Sequence, residues 1–558
     1  MGWSASVADP ADRSEIGQQR MRWWGWGDPA HPPGLPATAL GFLADTVGLA
    51  AQPIAPVALS NVRLPEPALA EPALSRLRAI AGTKHVRDDH GERVAHAAGK
   101  GYPDLVRLRA GEPEGAPDAV VLPGSAQEVA AVLQLCARES LAVVPFGGGT
   151  SVVGGVEPLR GEHGGVVCLD MRRMGRVVEL DGASRTVTVQ GGIRAPALER
   201  HLAERALTLG HYPQSFEYVS LGGCAATRSA GQASSGYGAI ERMVLGLRVT
   251  APAGEIELPA MPASAAGPSL RQLLIGSEGT LGVICELSLR VRAAPEEKTY
   301  EGIFFENFSA GVEVLRELAQ QGASPDVARL SDEQETRMSL ALAGSGGVKG
   351  RLGRLYLTAR GYRDGCLAIF GYEGSQREVQ ARRARALEVA RGGGGLTVGR
   401  SPGEAWRAGR FSAPYLRDEL LTQGVMVETL ETATQWSNLQ RLHSAVGRAI
   451  DSALKECGTP GLVMCHVSHL YETGASLYFT FVARQREGEE IAQWRSVKQA
   501  ASRAIVQGGG TITHHHAVGR DHAQWMRAEV GDTGTAALRA LKAQLDPAGI
   551  MNPGKLLS

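Results

Sequence analysis

The sequence has no long apolar run. Nowhere in its 558 residues do the roughly 20 consecutive apolar side chains of a membrane-spanning helix occur. It has no excess of either charge: Lys plus Arg number 58 and Asp plus Glu number 58, so the balance gives no reason to expect nucleic acid as a partner. Cysteine is scarce. There are seven, an odd count without a C-x-x-C pair, which favours a reducing compartment over a disulfide framework. The opening "MGWSASVADPADRSEI" lacks the basic and apolar regions of a secretory signal, and Gly2 with Ser6 meets only the loose myristoylation pattern. The closing "KLLS" is not a peroxisomal address. A soluble cytoplasmic protein is therefore expected, with peripheral membrane contact compatible with it.

Two nucleotide signatures are missing as well. No G-x-x-x-x-G-K-[ST] occurs, which argues against a P-loop enzyme. In "PFGGGTSVVGG", Val152 stands where a Rossmann fingerprint needs its third glycine. What the chain has instead is glycine, 71 residues of it, concentrated between short apolar segments. "DAVVLPGSAQEVAAVLQLCARESLAVVPFGGGTS" reads as strand, helix, strand, glycine loop. Ser125 and Glu128 form a capping box there, and Val129, Val132, Leu133 and Cys136 recur at helical spacing. Consecutive glycines after a strand let backbone N–H groups converge on a phosphate or pyrophosphate, and taken alone they fit a structural turn equally well.

A chain this long should divide into two to four domains. The texture suggests an N-terminal arm with helices over 1–100, an α+β unit over 101–295, a second α+β unit over 296–505 and a closing segment over 506–558. In the arm, "RWWGWGDPAHPPG" reads as an anchor onto the body more readily than as a ligand wall. "GRLYLTARGY" and "ASLYFTFVARQ" read as strands, and "REVQARRARALEVARGGGG" as a solvated charged helix.

Three stretches accompany the glycine loop in order: "QSFEYVSLGGCAATRSAGQASSGYGAIERMV", "LLIGSEGTLGVICELSLRV" and the terminal "NPGKLL". Together they resemble the flavoproteins typified by vanillyl-alcohol oxidase and the FAD-linked D-2-hydroxyacid dehydrogenases. The resemblance implies an α+β fold in which a two-subdomain domain clasps non-covalent FAD and an α+β cap covers the flavin ring. It also implies a helical C-terminal segment. FAD contacts are then expected from Pro145, Phe146, Gly147, Gly148, Gly149, Thr150 and Ser151, and from Gln214, Ser215, Phe216, Glu217, Tyr218, Val219 and Ser220. Thr227, Arg228, Ser229 and Ala230 follow, and then Glu278, Gly279, Thr280, Leu281, Gly282, Val283 and Ile284.

Within that group the metal-assisted dehydrogenases carry H-x-G-D-G-N-x-H in the cap. Here "CHVSHLYETGASLYFTF" lacks the Gly-Asp-Gly-Asn. His466 and His469 without a carboxylate nearby in sequence make a poor metal site, so no metal is expected. This stretch, with "W-x-G-W-G" at Trp23 to Gly27, "RFSAPYLRDELL", "ETLETATQW" and "GGTITHHHAVGR", resembles the alkyldihydroxyacetonephosphate synthase family. Cys224 departs from the family's animal members, which have Trp there. The resemblance implies exchange of the acyl chain of acyl-dihydroxyacetone phosphate for a fatty alcohol, with flavin N5 as electron sink and no net redox change. A homodimer is compatible with it. An FAD-dependent oxidase or dehydrogenase of a hydroxy acid or other alcohol is the alternative.

By motif position, Arg417 and Arg329 are the implied substrate-binding residues, and Tyr478, His514, His515 and His516 the implied catalytic ones. The spacing of "GGTITHHH" suggests a short strand over Thr511 to His515. His514 and His516 would then face one way and His515 the other, with at least one ring, at a pKa near neutrality, acting as a proton carrier or phosphate partner.

Overall fold

The computed structural model describes residues 21–27, 34, 35, 37–342 and 348–557; the Gly2 and Ser6 positions lie outside them. Short apolar runs become buried strands and amphipathic segments become the helices that cover them. Three parallel strands, Ala119–Val121, Gly165–Asp170 and Leu141–Phe146, form the first sheet with Val86–Arg87 antiparallel at its edge. Helix Ala126–Glu139 packs on it through Val129, Val132, Leu133 and Cys136, all buried. The Ser125 hydroxyl accepts from the Glu128 N–H at 3.1 Å, and the Glu128 carboxylate accepts from the Gly124 N–H at 2.8 Å. A five-stranded antiparallel sheet follows, ordered Val177–Asp181, Thr186–Gln190, Val283–Arg290, Val244–Ala251, Gly254–Leu258.

The third sheet has seven antiparallel strands, and its two faces do different work. In its last three strands, Leu462–Leu470, Gly474–Arg484 and the edge strand Val425–Gln435, side chains alternate between the faces. Met426, Leu430, Cys465, Val467, Leu477, Phe479 and Phe481 go under helices Trp436–Glu456 and Glu490–Gln507, in one core with Leu442, Val446, Val497 and Ala501. The opposite residues, Val427, Thr429, Glu431, Met464, His466, Tyr478, Thr480 and Val482, are left for the site.

One expectation needs correction. "GRLYLTARGY" lies largely in helix Val348–Ala359. A short apolar run does not distinguish strand from helix, and Leu352, Leu355 and Tyr356 fall at three- and four-residue spacing. Helix Gln376–Gly392 exposes Arg377, Glu378, Arg385, Glu388 and Arg391 as expected, while Val379, Ala386, Leu387 and Ala390 are buried and Arg383 forks onto buried Glu301 at 2.9 and 2.7 Å.

Candidate active site

A cavity of about 510 Å3 runs between the first two sheets and the free face of the third. One end is walled by glycine and other small residues. Pro145 to Ser151 all line it, as do Gln214, Ser215, Val219, Ser220, Thr227, Ser229, Ala230, Glu278, Gly279, Gly282, Val283 and Ile284. The fit is close enough to explain the glycines. A Cβ on Gly148 would meet the Tyr218 carbonyl oxygen at 2.2 Å, and one on Gly279, at φ +72°, would meet Pro145 at 2.9 Å. Gln232, which sequence reading omitted, lines the cavity with its Oε1 buried and unpartnered among the described residues. A backbone-lined cradle with a spare acceptor suits a flat dinucleotide such as FAD.

Several expected contacts stand behind this wall. Phe216 stacks on Phe411 with ring centroids 5.5 Å apart, and Glu217 accepts from the Tyr415 hydroxyl. The Tyr218 carbonyl accepts from Arg194, while Leu281 joins the core and the Thr280 hydroxyl donates to the Ser277 carbonyl at 2.7 Å. Arg228 is exposed and donates to the Gln272 carbonyl. These residues shape the cradle and do not border it.

The other end is built by the third sheet. Tyr478 pairs in register with His466 on one side and Glu431 on the other, and its ring stacks on His466 at 4.8 Å. Burial raises the Tyr478 phenol above its ordinary value, with the Thr429 hydroxyl and Arg417 pulling the other way. It is therefore a neutral proton donor near pH 7. Arg329 and Arg417 also line this end. Arg329 donates to Glu335 at 2.7 Å and lies 3.0 Å from His466 Nε2. His466 Nδ1 is 3.0 Å from the same carboxylate, so the histidine read as lacking a carboxylate has one, supplied from 131 residues away. Arg417 is held more loosely. It donates to the Lys100 carbonyl at 3.1 Å and lies 3.5 Å from Glu428 and from the Thr429 hydroxyl.

The tryptophan turn both anchors and borders the site. The Trp26 N–H donates to Asp418 at 2.8 Å, beside Arg417 on helix Ala413–Thr422, and Trp26 itself lines the cavity.

The histidine triplet is a loop and not the expected strand. The N–H groups of His514, His515 and His516 all converge on the fully buried Glu431 carboxylate, with the Thr513 hydroxyl donating to it at 2.7 Å. Successive N–H groups wrap one anion only from a nest-like turn. Burial works against the ionised Glu431, while the Thr513 hydroxyl and the three N–H donors hold it below the usual carboxylate range. His515 and His516 therefore both reach the cavity, with rings 5.9 and 5.4 Å from Tyr478. His514 does not line it; its Nε2 is 2.5 Å from the Tyr471 hydroxyl and its Nδ1 is 2.8 Å from His515 Nδ1.

The expectation of a ring near its ordinary pKa is also corrected. Burial lowers His514 to about 3 and pushes His515 and His516 below 6.5, so the rings are neutral proton acceptors. The three imidazoles that converge are His469, His514 and His515, with ligand atoms within 4.8 Å of one another. His469 Nε2 faces the Gly231 carbonyl at 3.1 Å and its Nδ1 faces the Ser468 and Ser476 hydroxyls.

Away from the polar end the same surfaces turn apolar. On the sheet face the rows run Glu431, Tyr478, His466, then Thr429, Thr480, Met464, then Val427, Val482, Leu462. Helix Glu333–Leu342 presents Glu335, then Met338, Ser339 and Leu342 to the cavity, and helix Ala413–Thr422 presents Arg417, then Leu420. A lane leads from charge to hydrocarbon.

Residues 117–258 match the family described as FAD binding domain, and residues 294–556 the family described as FAD linked oxidases, C-terminal domain. Alkyldihydroxyacetonephosphate synthase of Dictyostelium discoideum is 32% identical over 97% of this chain and 94% of its own. A solved structure of alkyldihydroxyacetonephosphate synthase is 31% identical with a TM-score of 0.83, covering 96% of this chain and 98% of that one. p-Cresol methylhydroxylase shares the fold at a TM-score of 0.67 and 15% identity, over 87% of this chain and 96% of that one. The two-domain FAD-binding fold is thus of the vanillyl-alcohol oxidase type, and the chain belongs to the alkyldihydroxyacetonephosphate synthase family of FAD-linked oxidases.

Proposed function

We propose that the protein exchanges the acyl chain of acyl-dihydroxyacetone phosphate for a fatty alcohol, a step of ether-lipid synthesis, with no net redox change. The observation that carries this reading is the continuity of the cavity: small-residue cradle, arginines and imidazoles, then hydrocarbon. Bound FAD, held by the cradle, supplies the electron sink that the exchange requires.

The remaining tasks fall to side chains. Arg417, held by the Lys100 carbonyl at 3.1 Å and by longer contacts to Glu428 and Thr429, lines the cavity and takes the substrate phosphate as a charge-assisted fork. Arg329, paired with Glu335, lines the same cavity and adds a second guanidinium. Tyr478 holds a proton for the departing carboxylate oxygen. His515 or His516 accepts the proton of the entering alcohol, and the lane shields the alkyl chain from water. Exchange of labelled fatty alcohol without any electron acceptor is the expected result. Turnover only with an acceptor would instead assign an FAD-dependent oxidation of a hydroxy acid or another alcohol.

Arg417→Ala is expected to lower kcat/KM for the phosphorylated substrate about 10- to 100-fold, the value of a charged hydrogen bond. Its melting temperature and FAD content should move far less. Wild-type kinetics at low substrate would remove Arg417 from this role.

The neutral imidazoles fix the sign of the acid limb. Activity that needs an unprotonated ring is complete above the lowered pKa and is lost only as pH falls through it. The acid limb of kcat/KM is therefore expected below pH 6.5, the ordinary histidine value. Half-loss at 6.5 or above, measured on FAD-loaded enzyme, contradicts a buried histidine base.

Among the described residues no helix is long and apolar enough to cross a membrane. Helix Val348–Ala359 follows the lane-lining helix Glu333–Leu342 in sequence and exposes Leu352, Leu355 and Tyr356. Peripheral contact of this helix with a membrane suits a substrate that arrives from lipid.

A further inference from the structure

The lane does not run on indefinitely. Beyond the row Val427, Val482, Leu462, the sheet face continues to Val425 and Arg484. Val425 and Leu462 do not border the cavity. They join a buried cluster with Leu43, and this cluster also contains the lane residues Met338, Leu420, Val427, Met464 and Val482. Leu43 comes from helix Ala37–Thr46 of the N-terminal arm and is 1% exposed. Phe42, Val47 and Leu49 of the same arm pack around this cluster. Just after the helix, Gly48 turns with φ +77° beside the exposed Arg484, whose Cδ would lie 3.8 Å from a Cβ there. Leu43 does not border the cavity either; it backs the apolar end of the lane by packing in one cluster with the residues that line it.

Resting on the exchange reading above, we propose that Leu43, carried by the N-terminal helix, is the stop that sets how long an alkyl chain the enzyme accepts. Tyr478 to Val482 spans four strand residues, about 14 Å at roughly 3.4 Å per residue, so the lane measures the chain from the reacting oxygen outward. A chain end that passes the row of Val427 and Val482 meets the packed cluster that Leu43 completes. Each methylene given a buried place is worth a factor of about four, so room for two more is worth on the order of tenfold.

The test compares kcat/KM for dodecanol, hexadecanol and eicosanol at fixed acyl-dihydroxyacetone phosphate. Ratios are taken within each preparation so that loss of folded enzyme cancels. Leu43→Ala is expected to raise the eicosanol-to-hexadecanol ratio about tenfold. Val482→Phe, which fills the lane one row before the stop, is expected to lower the hexadecanol-to-dodecanol ratio by a similar factor. If Leu43→Ala does not fold, Val482→Phe decides alone. Wild-type ratios in the folded variants overturn the stop while leaving the exchange reading intact. A wild-type enzyme that exchanges none of the three alcohols overturns both.

Discussion

Tyr478→Phe is expected to lower kcat by about 10²- to 10⁴-fold, the usual contribution of a placed proton donor or acceptor, with FAD content unchanged. The substitution keeps the ring, so the 4.8 Å stack on His466 and the burial of the strand survive. What disappears is the hydroxyl, which burial keeps protonated beside Arg417 and Thr429. The loss should appear in kcat more than in KM, because an interaction made only as charge develops in the reacting oxygens does not strengthen substrate binding. A variant whose kcat falls by less than about threefold would make Tyr478 a packing residue of the strand.

Glu431→Ala is expected to cost about 3 kcal/mol or more of stability and to abolish most activity. Its carboxylate accepts from three consecutive backbone N–H groups and from the Thr513 hydroxyl, and it is 1% exposed. Alanine leaves these donors buried without an acceptor, at about 1–3 kcal/mol for each that finds no substitute. The loop must then reorganise, which moves His515 and His516 away from Tyr478. Glu431→Gln keeps one carbonyl oxygen and should recover part of both losses. Thermal unfolding of the FAD-loaded proteins, read beside kcat, checks this. An alanine variant with wild-type stability and turnover would be incompatible with Glu431 organising the loop.

The parts of the site legible in the sequence are those made by neighbours in the chain. The strand and glycine loop from Leu141 to Ser151 need only a buried run and a sharp turn, and the loop lines the cavity throughout. The small residues from Ser220 to Gly231 are similarly local, because close backbone approach requires small side chains wherever the rest of the chain goes. The residues missed are held from a distance. Glu335 lies 131 residues from His466 and Glu431 some 83 to 85 residues from the histidine triplet. The available signal was a pair of glutamates, Glu428 and Glu431, inside an otherwise apolar and threonine-rich strand, since a buried carboxylate must have partners.

By itself the sequence determined that glycine turns follow short buried strands, and by its resemblance it pointed to the cavity that these turns line together with Tyr478, His515 and His516. It could not determine that the triplet turns into a loop, that His514 stands behind the other two, or that the rings are neutral. Those outcomes depend on desolvation and on one carboxylate brought from another strand. Burial and charge pairing are properties of distance in space, and three adjacent imidazoles carry no record of what will be folded around them.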